Sequence, residues 1–373
     1  MSKIQVPLYD LVANNRPHLE EFHEALERVE ESGEYILGPF VEKFEKELAK
    51  ACGVKHAIGV GSGTDAILIS LMALGIKPGD EVVTSPFAYI HTAGCIARMG
   101  AKPVFCDIDP ISYNLDPAQL EAVLTPRTKA ILPAHLYGQT CDMGPILAIA
   151  KKRGITVIED ADQAIGAKYK GKQAGSLGTV GVTSFYPTKG LSAMGDAGAV
   201  LTSDDALAAR VRQMRVHGIE EGYIVRRLGG NFRLDALHAA LLSIKLPQAD
   251  ADTKARRAHA ERYEKCLEEL QVSTPAECEN CFHTFSHYTI RVRGGGRDPL
   301  AAHLAANGVE SRVYYPVPLH LQPCFADLGH KAGAFPNAET AAREVLCLPV
   351  FPEMTKGQQD LVIESIREYF MAE

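Results

Sequence analysis

The chain of 373 residues is long enough for one large domain and a second, smaller one. Its 46% hydrophobic and 23% charged residues are typical of a soluble globular protein, and a net charge of −7 without a long basic run argues against nucleic acid as the principal partner. The number of cysteines is odd and the first residues lack an apolar core, which predicts reduced thiols and a cytoplasmic location. The sequence has no run of about 18 apolar residues, so no membrane partner is predicted.

Residues 55 to 205 alternate short apolar runs with helical patterns. The predicted strands are, in chain order, HAIGVG, DEVVTS, KPVFCDI, TKAILPA, ITVIED, VGVTSFY and AGAVLTS. Helical patterns such as GTDAILISLMALG and PILAIAKKRG lie between several of them, and another begins with Asp116 as its N-cap and Pro117 as its first residue. This alternation predicts an α/β fold with a mostly parallel sheet flanked by helices.

Two long helices are predicted over residues 233 to about 272, with a break at Pro247. The basic patch Lys254 to Arg262 lies in the second of them and is interpreted as a solvated helix face. We predict a large domain over residues 1–248, including the N-terminal segment, and a small C-terminal domain over residues 249–373, including the linking helix.

The C-terminal part reads as a smaller α+β unit. It contains the predicted strand HYTIRV, a helix from about Pro299 to Asn307 and a final helix near Thr355 to Phe370. The glycines 294–296 lack the lysine and the strand–loop–helix context of a phosphate loop, so they are interpreted as a hairpin turn. Cys278 and Cys281 form a C-x-x-C without a second ligand pair at zinc-site spacing, and no metal site is predicted.

A candidate anion site follows the first predicted strand. In an open α/β sheet, ligands bind beyond the carboxyl ends of the strands. Ser62, Gly63 and Thr64 lie at such an end and open a helix, where backbone N–H groups and hydroxyls can bind an anion. Small residues also cap helices for structural reasons, so this motif alone does not establish a site.

Two carboxylates end another predicted strand. Glu159 and Asp160 close ITVIED, and a buried carboxylate there is costly unless it faces a cation. Gln163 is near enough in sequence to reach the same ligand. The structural alternative is a helix-capping aspartate followed by a solvated glutamine.

A single lysine, Lys189, lies in the loop after VGVTSFY. It is either a solvated loop charge or an amine held at the end of a strand for chemistry, and Ser184 supplies a hydroxyl five residues before it. The anion site, the carboxylate Asp160 and this lysine together match what pyridoxal phosphate needs. Lysine forms a Schiff base with it, aspartate keeps the ring nitrogen protonated, and the anion site holds the phosphate.

Eight motifs match one protein family in the same order along nearly the whole chain. They are YILGP (35–39), GSGTDAI (61–67), VIEDADQAIGA (157–167), SFYPTKGL (184–191), GDAGAV (195–200), HG (217–218), GGNFRLDALHAA (229–240) and YYPVPLHLQPCF (314–325). By these motifs the sequence resembles the DegT/DnrJ/EryC1/StrS family of nucleotide-sugar aminotransferases, which has the aspartate aminotransferase fold (fold type I).

The resemblance implies a role for individual residues. Lys189 would be the Schiff-base lysine and Asp160 the partner of the pyridine nitrogen. The implied cofactor-binding residues are Gly63, Thr64, Tyr89, Asp160, Gln163, Ser184, Lys189 and Asn231. Tyr89 would stack on the ring, and Asn231 would reach the phosphate in the neighbouring subunit, which implies a homodimer with shared active sites. Without the resemblance, Tyr89 would be interpreted as a core aromatic and Asn231 as a turn residue.

The resemblance also implies the reaction. An amino acid, in this family usually L-glutamate, would give its amino group to a keto-sugar carried on a nucleotide diphosphate, and Lys189 would move the proton. The motif GDAG (195–198) resembles members that act on 3-keto sugars, whereas 4-keto enzymes more often carry glutamate in place of Asp196. A 3-amino sugar nucleotide is therefore expected, with the 4-amino product as the alternative.

Candidate substrate-binding residues are Arg233, Tyr314, Tyr315 and His320, although Arg233 could equally form a structural salt bridge. Two residues depart from the family pattern, since Asp162 replaces a small residue and Tyr314 replaces the histidine of an HYP sequence. Relatives with histidine in place of the lysine are dehydratases, and Lys189 argues against that chemistry. A catalytically silent regulator that binds the cofactor is the alternative from another class. A nicotinamide dehydrogenase is disfavoured because GVGSGT lacks the full G-x-G-x-x-G fingerprint.

Overall fold

The computed structural model describes residues 4–371. The strands within them are β1 His56–Val60, β2 Glu81–Thr84, β3 Lys102–Phe105, β4 Thr128–Leu132, β5 Thr156–Asp160, β6 Lys168–Tyr169, β7 Lys172–Gln173, β8 Val180–Ser184, β9 Gly198–Thr202, β10 Val272–Ser273, β11 Cys281–Phe282, β12 Tyr288–Val292 and β13 Val345–Leu348. The helices are α1 Leu11–Asn15, α2 Leu19–Ser32, α3 Gly38–Cys52, α4 Gly63–Ala73, α5 Ile90–Arg98, α6 Pro117–Val123, α7 Met143–Arg153, α8 Asp205–Met214, α9 Ala236–Lys245, α10 Ala249–Leu267, α11 Arg297–Ala306, α12 Pro336–Glu344 and α13 Lys356–Met371. Among these helices, none is long and apolar enough to cross a membrane.

Seven strands form the central sheet, in the order β1-β9-β8-β5-β4-β2-β3. The pairs β5–β8, β4–β5, β2–β4 and β2–β3 are parallel, and β9 runs antiparallel to both of its neighbours. The predicted α/β fold with a mostly parallel sheet and flanking helices is therefore confirmed. All seven strands of this sheet coincide with the seven apolar runs of the sequence.

Helix α4 is apolar on nearly every side because it packs between the sheet and the helices α5 and α8. It begins directly after β1, where the Ser62 side chain accepts a hydrogen bond from the amide of Asp65 at 3.0 Å. Its N-terminal amides therefore face the edge of the sheet where β1 ends.

The helices α9 and α10 confirm the predicted break, since Pro247 lies in a single 3₁₀ turn between them. The interpretation of the basic patch in α10 as a solvated helix face needs correction. Arg256 is only 8% exposed, Arg257 pairs with Glu277, and Arg262 pairs with Asp360. The patch is solvated only in part, with Lys254 exposed, because α10 packs against α13 and the segment that precedes β12.

The C-terminal unit contains the sheet β10-β12-β13, covered by α11 and α13. Val6 packs into its core and pairs with Val309, so the N-terminal segment contacts this unit. The hairpin interpretation of residues 294–296 was wrong, because the chain passes from β12 through this turn into α11, with Gly294 and Gly295 at φ of 69° and 83°. The domain boundary at 248/249 stays a prediction, and residues 1–3 and 372–373 lie outside the described part.

A buried histidine next to this unit predicts a dependence of stability on pH. His283 is 2% exposed, its ring stacks on Phe285 at 4.0 Å, and its Nδ1 accepts the amide of Phe285 at 2.9 Å. Burial lowers the pKa of His283 from 6.5 to about 3. The unfolded chain therefore binds the proton first as the pH falls, and stability present above about pH 6.5 is lost progressively towards pH 3.

In urea denaturation, we expect His283 to contribute a slope approaching ~1.4 kcal/mol per pH unit within that window. The variant His283→Asn keeps an acceptor for the amide but cannot titrate, so it should lose this part of the slope. An unchanged slope in the variant would contradict the assignment.

Candidate active site

The carboxyl ends of β1, β2, β5 and β8 meet at one edge of the sheet and open into a cavity of about 530 Å³. Its lining comes from the large α/β unit, from the segment before β12 and from the loop after α11. The lining residues are Tyr9, Ser62, Gly63, Thr64, Tyr89, His91, Asp162, Gln163, Ser184, Tyr186, Thr188, Lys189, Asp196, His287, Val313, Tyr314, Tyr315 and Pro316. The position agrees with the rule that ligands bind beyond the carboxyl ends of parallel strands.

The N-terminus of α4 lines one side of this cavity and is closely packed against its neighbours. A Cβ on Gly63 would collide with the carboxylate of Asp162, and one on Gly198 would collide with the backbone of Ser62 and Gly63. The glycines thus allow β9 and the 160–163 turn to approach the helix N-terminus closely. The Ser184 hydroxyl lies nearby at the end of β8 and accepts the amide of Tyr186 at 3.2 Å. Backbone N–H groups and hydroxyls here are suited to an anion.

Asp160 lies at the end of β5 and is 4% exposed. Its Oδ2 accepts a hydrogen bond from Thr92 Oγ1 at 2.7 Å and lies 3.3 Å from His91 Nε2, while its Oδ1 accepts the Asp162 amide at 3.2 Å. Burial alone would raise the pKa of Asp160, but His91 and Thr92 hold it below its usual value. The site therefore contains a buried, ionised carboxylate.

Gln163 is held on both sides of its amide and is not a solvated side chain. Its Oε1 accepts the backbone amide of Tyr137 at 2.9 Å, and its Nε2 donates to the Tyr315 hydroxyl at 2.8 Å. The second bond joins the edge of the central sheet to the loop that follows α11.

Lys189 lines the cavity together with a smaller recess that also contains Asp160. Its backbone amide donates to the Tyr186 carbonyl at 2.8 Å, and the loop closes where the Ala193 amide donates to Phe185 at 2.7 Å. Lys189 therefore borders the same recess as Asp160, and its charge lowers the pKa of the neighbouring Asp162.

The remaining predicted residues fall into two groups. Tyr89, Tyr314 and Tyr315 line the cavity, with the Tyr89 and Tyr315 rings 6.1 Å apart. His320 lies outside the lining, is 2% exposed and has its Nε2 3.1 Å from Glu339 Oε1, and its role in substrate binding stays a prediction.

Asn231 and Arg233 also lie outside the lining formed by their own chain. Asn231 is exposed and Arg233 half-buried, next to the strand edges at Val216 and Val60. Their roles stay predictions.

Cys278 and Cys281 face a separate cavity of about 770 Å³, which is larger than the one at the strand ends. Burial raises the pKa of Cys278 to about 11 and also raises that of Cys281, so neither is an activated thiolate. Neither belongs to a group of residues that could hold a metal ion within the described chain. The predicted absence of any metal site stays a prediction.

The comparison with known families decides to which family and fold the chain belongs. Residues 18–367 match the DegT/DnrJ/EryC1/StrS aminotransferase family. The chain belongs to this family. It is 51% identical over 370 residues to a protein named "Pleiotropic regulatory protein" from Geobacillus stearothermophilus, covering 98% of this chain and 99% of that protein. It is 45% identical over 341 residues to UDP-2-acetamido-2-deoxy-3-oxo-D-glucuronate aminotransferase from Pseudomonas aeruginosa, covering 91% and 94%.

A solved family structure has the same fold. The crystal structure of S. venezuelae DesV in complex with a ketimine intermediate superimposes with a TM-score of 0.95 at 38% identity, covering 99% of each chain. The resemblance of the sequence to the family and to its fold is therefore confirmed.

Several residues that line the cavity of this family member or contact its lining were not singled out by the sequence. His91 lies in the first turn of α5, Thr92 donates to Asp160, and Tyr9 comes from the N-terminal segment. His287 lies beside Lys189, and burial together with that cation lowers its pKa to about 3, so it is neutral. The only singled-out residue close to any of them in the sequence is the aromatic residue Tyr89, two positions before His91.

A buried carboxylate beneath the site predicts a large loss of stability when it is removed. Glu159 is 0% exposed and accepts the amides of Gly175, Leu177 and Gly178 at 2.9, 2.6 and 2.6 Å. It also pairs with His135 Nε2 at 2.9 Å, and His135 Nδ1 accepts the Cys141 amide at 3.1 Å. Glu159→Ala should therefore lower the free energy of unfolding by about 3–5 kcal/mol in urea denaturation.

The matched control is Glu121→Ala, which removes an exposed carboxylate paired with Lys152 and should change stability little. Equal losses in the two variants would show that Glu159 has no special structural role.

Proposed function

We propose that this chain is a pyridoxal-phosphate-dependent aminotransferase. In this proposal it moves the amino group of an amino acid, L-glutamate in the first instance, to a nucleotide-diphosphate-linked 3-keto sugar. The observation that carries the proposal is that Lys189 and the ionised Asp160 line one recess beside the N-terminus of α4. An amine, a buried anion and an anion-binding helix end are the three groups that this cofactor requires.

The residues fit the cofactor for physical reasons. A buried carboxylate needs a cationic partner, and a protonated ring nitrogen at Asp160 would supply one. The helix end at Gly63 and Thr64, with Ser184, would hold the phosphate. When bound, the cofactor withdraws electrons from the α-carbon of the amino donor. Lys189 would link to it covalently, and its released Nζ would then take the proton from that α-carbon.

The substrate class rests on the relatives and on one residue at the rim of the cavity. The name of the P. aeruginosa relative specifies a 3-oxo sugar on UDP, and Asp196 of GDAG lines the cavity here. The 4-keto sugar nucleotides are the alternative. The experiment incubates the purified protein with pyridoxal phosphate, L-glutamate and matched 3-keto and 4-keto sugar nucleotides, and detects the amino sugar by mass spectrometry. A 3-amino product is expected, and a 4-amino product alone would overturn the assignment of position.

A homodimer with shared active sites is part of the proposal. The segment before Asn231 carries exposed apolar side chains, with Tyr223 at 87% and Leu228 at 83% exposure. Such side chains favour burial against a second copy. Asn231 and Arg233 would then reach the partner's site. A cytoplasmic location is also part of the proposed function.

A second candidate function is a regulator that binds the cofactor without turnover. It is favoured by the name of the G. stearothermophilus relative, which speaks of regulation. In the same experiment, cofactor binding without release of a keto acid from any amino donor would favour the regulator.

A further inference from the structure

We propose that His91 and Asp162 are positioning residues that compensate each other's charge. The pair leaves the Asp160 carboxylate free to face the cofactor ring nitrogen. This inference rests on the proposed function above.

The pair lies directly against Asp160. His91 Nε2 is 3.3 Å from Asp160 Oδ2 and 3.7 Å from Asp162 Oδ2. The exposed fractions of the three side chains are 9%, 5% and 6%, so water screens their charges little. Both His91 and Asp162 also line the recess that contains Lys189.

The charges explain why His91 and Asp162 belong together. Two carboxylates this close cannot both be ionised in a buried site without a cation beside them. Burial lowers the pKa of His91, but Asp160 and Asp162 raise it above its usual value, so His91 serves as that cation. Burial and Asp160 raise the pKa of Asp162, whereas His91 and Lys189 lower it, so the ionisation of Asp162 depends on His91.

Removing one member of the pair should therefore weaken cofactor binding more than removing both. Without Asp162, the His91 cation would neutralise Asp160 and compete with the ring nitrogen for it. Without His91, Asp162 and Asp160 would repel each other, and one would take up a proton. Without both, Asp160 would keep its hydrogen bonds from Thr92 and from the backbone amide of residue 162.

A polar atom of Asp162 supports a role in the ligand-bound state. Its Oδ1 is buried and has no hydrogen-bond partner, although its carboxylate packs against Gly63 at the start of α4. The positive end of that helix stabilises the carboxylate where it lies. A fully buried oxygen without a partner is costly in a purely structural residue.

The test is a double-mutant cycle on cofactor binding. Wild type, His91→Ala, Asp162→Ala and the double variant are titrated with pyridoxal phosphate, and the dissociation constant and the pH midpoint of the visible cofactor band are measured. Each single variant should bind the cofactor roughly tenfold more weakly and shift the midpoint. The double variant should lie closer to wild type than either single variant does.

Circular dichroism and the exposed-site variants His23→Ala and Asp327→Ala serve as controls for folding. If His91→Ala does not fold, His91→Gln replaces it in the cycle. A wild type with no cofactor band overturns the proposed function and the pair together. If the wild type has the band, two results overturn the pair alone. One is that the effects of the two substitutions are additive, and the other is that the pH midpoints of the variants equal that of the wild type. The atoms of the three side chains lie within 4.8 Å of one another, so one equivalent of bound metal in the purified protein would also overturn it.

Discussion

Lys189→Ala is expected to lower the rate of amino transfer by at least about 10⁴-fold while leaving the protein folded. A positioned base contributes roughly 10²–10⁴-fold, and the loss of the covalent link to the cofactor adds to this. The side chain is half-buried in the cavity, and its removal leaves the backbone bond from the amide of residue 189 to Tyr186 in place. The rate is measured as keto acid released from the amino donor in a single turnover.

The matched control is Lys172→Ala, which removes an exposed lysine in β7, away from the cavity. It should leave the rate unchanged. Turnover in Lys189→Ala within tenfold of the wild-type rate would show that another group performs the proton transfer.

Asp160→Asn is expected to lower kcat by roughly 10²–10³-fold, the cost of losing one preorganised charge at a reacting group. Asparagine matches aspartate in size and keeps an oxygen that can accept from Thr92, so packing is retained. What it removes is the negative charge that the ring nitrogen would face, and with it the tendency of that nitrogen to stay protonated. Steady-state kinetics at saturating donor, with the visible spectrum of the bound cofactor, measure both effects.

A suitable control is Asp116→Asn, since this residue caps α6 through its side-chain oxygen and asparagine caps helices equally well. Its kcat should match that of the wild type. If Asp160→Asn retains kcat within threefold and an unshifted spectrum, the ring nitrogen does not depend on Asp160.

The central sheet and its functional edge could be predicted from the sequence for physical reasons. Strands buried on both faces are continuous apolar runs, and the rule for strand ends then predicts where Ser62, Asp160 and Lys189 converge. In the structure Ser62 and Lys189 line the cavity, and Asp160 and Lys189 line the adjoining recess, although the three residues are far apart along the chain.

Features that depend on contacts across the chain could not be predicted. His91 becomes notable only because α5 places it against Asp160, and His287 only because the segment before β12 lies beside Lys189. His320 shares a motif with Tyr314 and Tyr315, which line the cavity, but its own side chain contacts Glu339, a contact that the motif does not reveal. Arg256 was misassigned because a one-dimensional charge pattern does not report which helix face is covered.

Amino transfer through Lys189 is tested most directly by the visible absorption spectrum of the purified, cofactor-reconstituted protein before and after addition of L-glutamate. We expect a visible band that glutamate bleaches, with release of one equivalent of keto acid per active site, and no such band in Lys189→Ala. A reconstituted wild-type protein with no visible band, or a band that no amino donor bleaches, would contradict it.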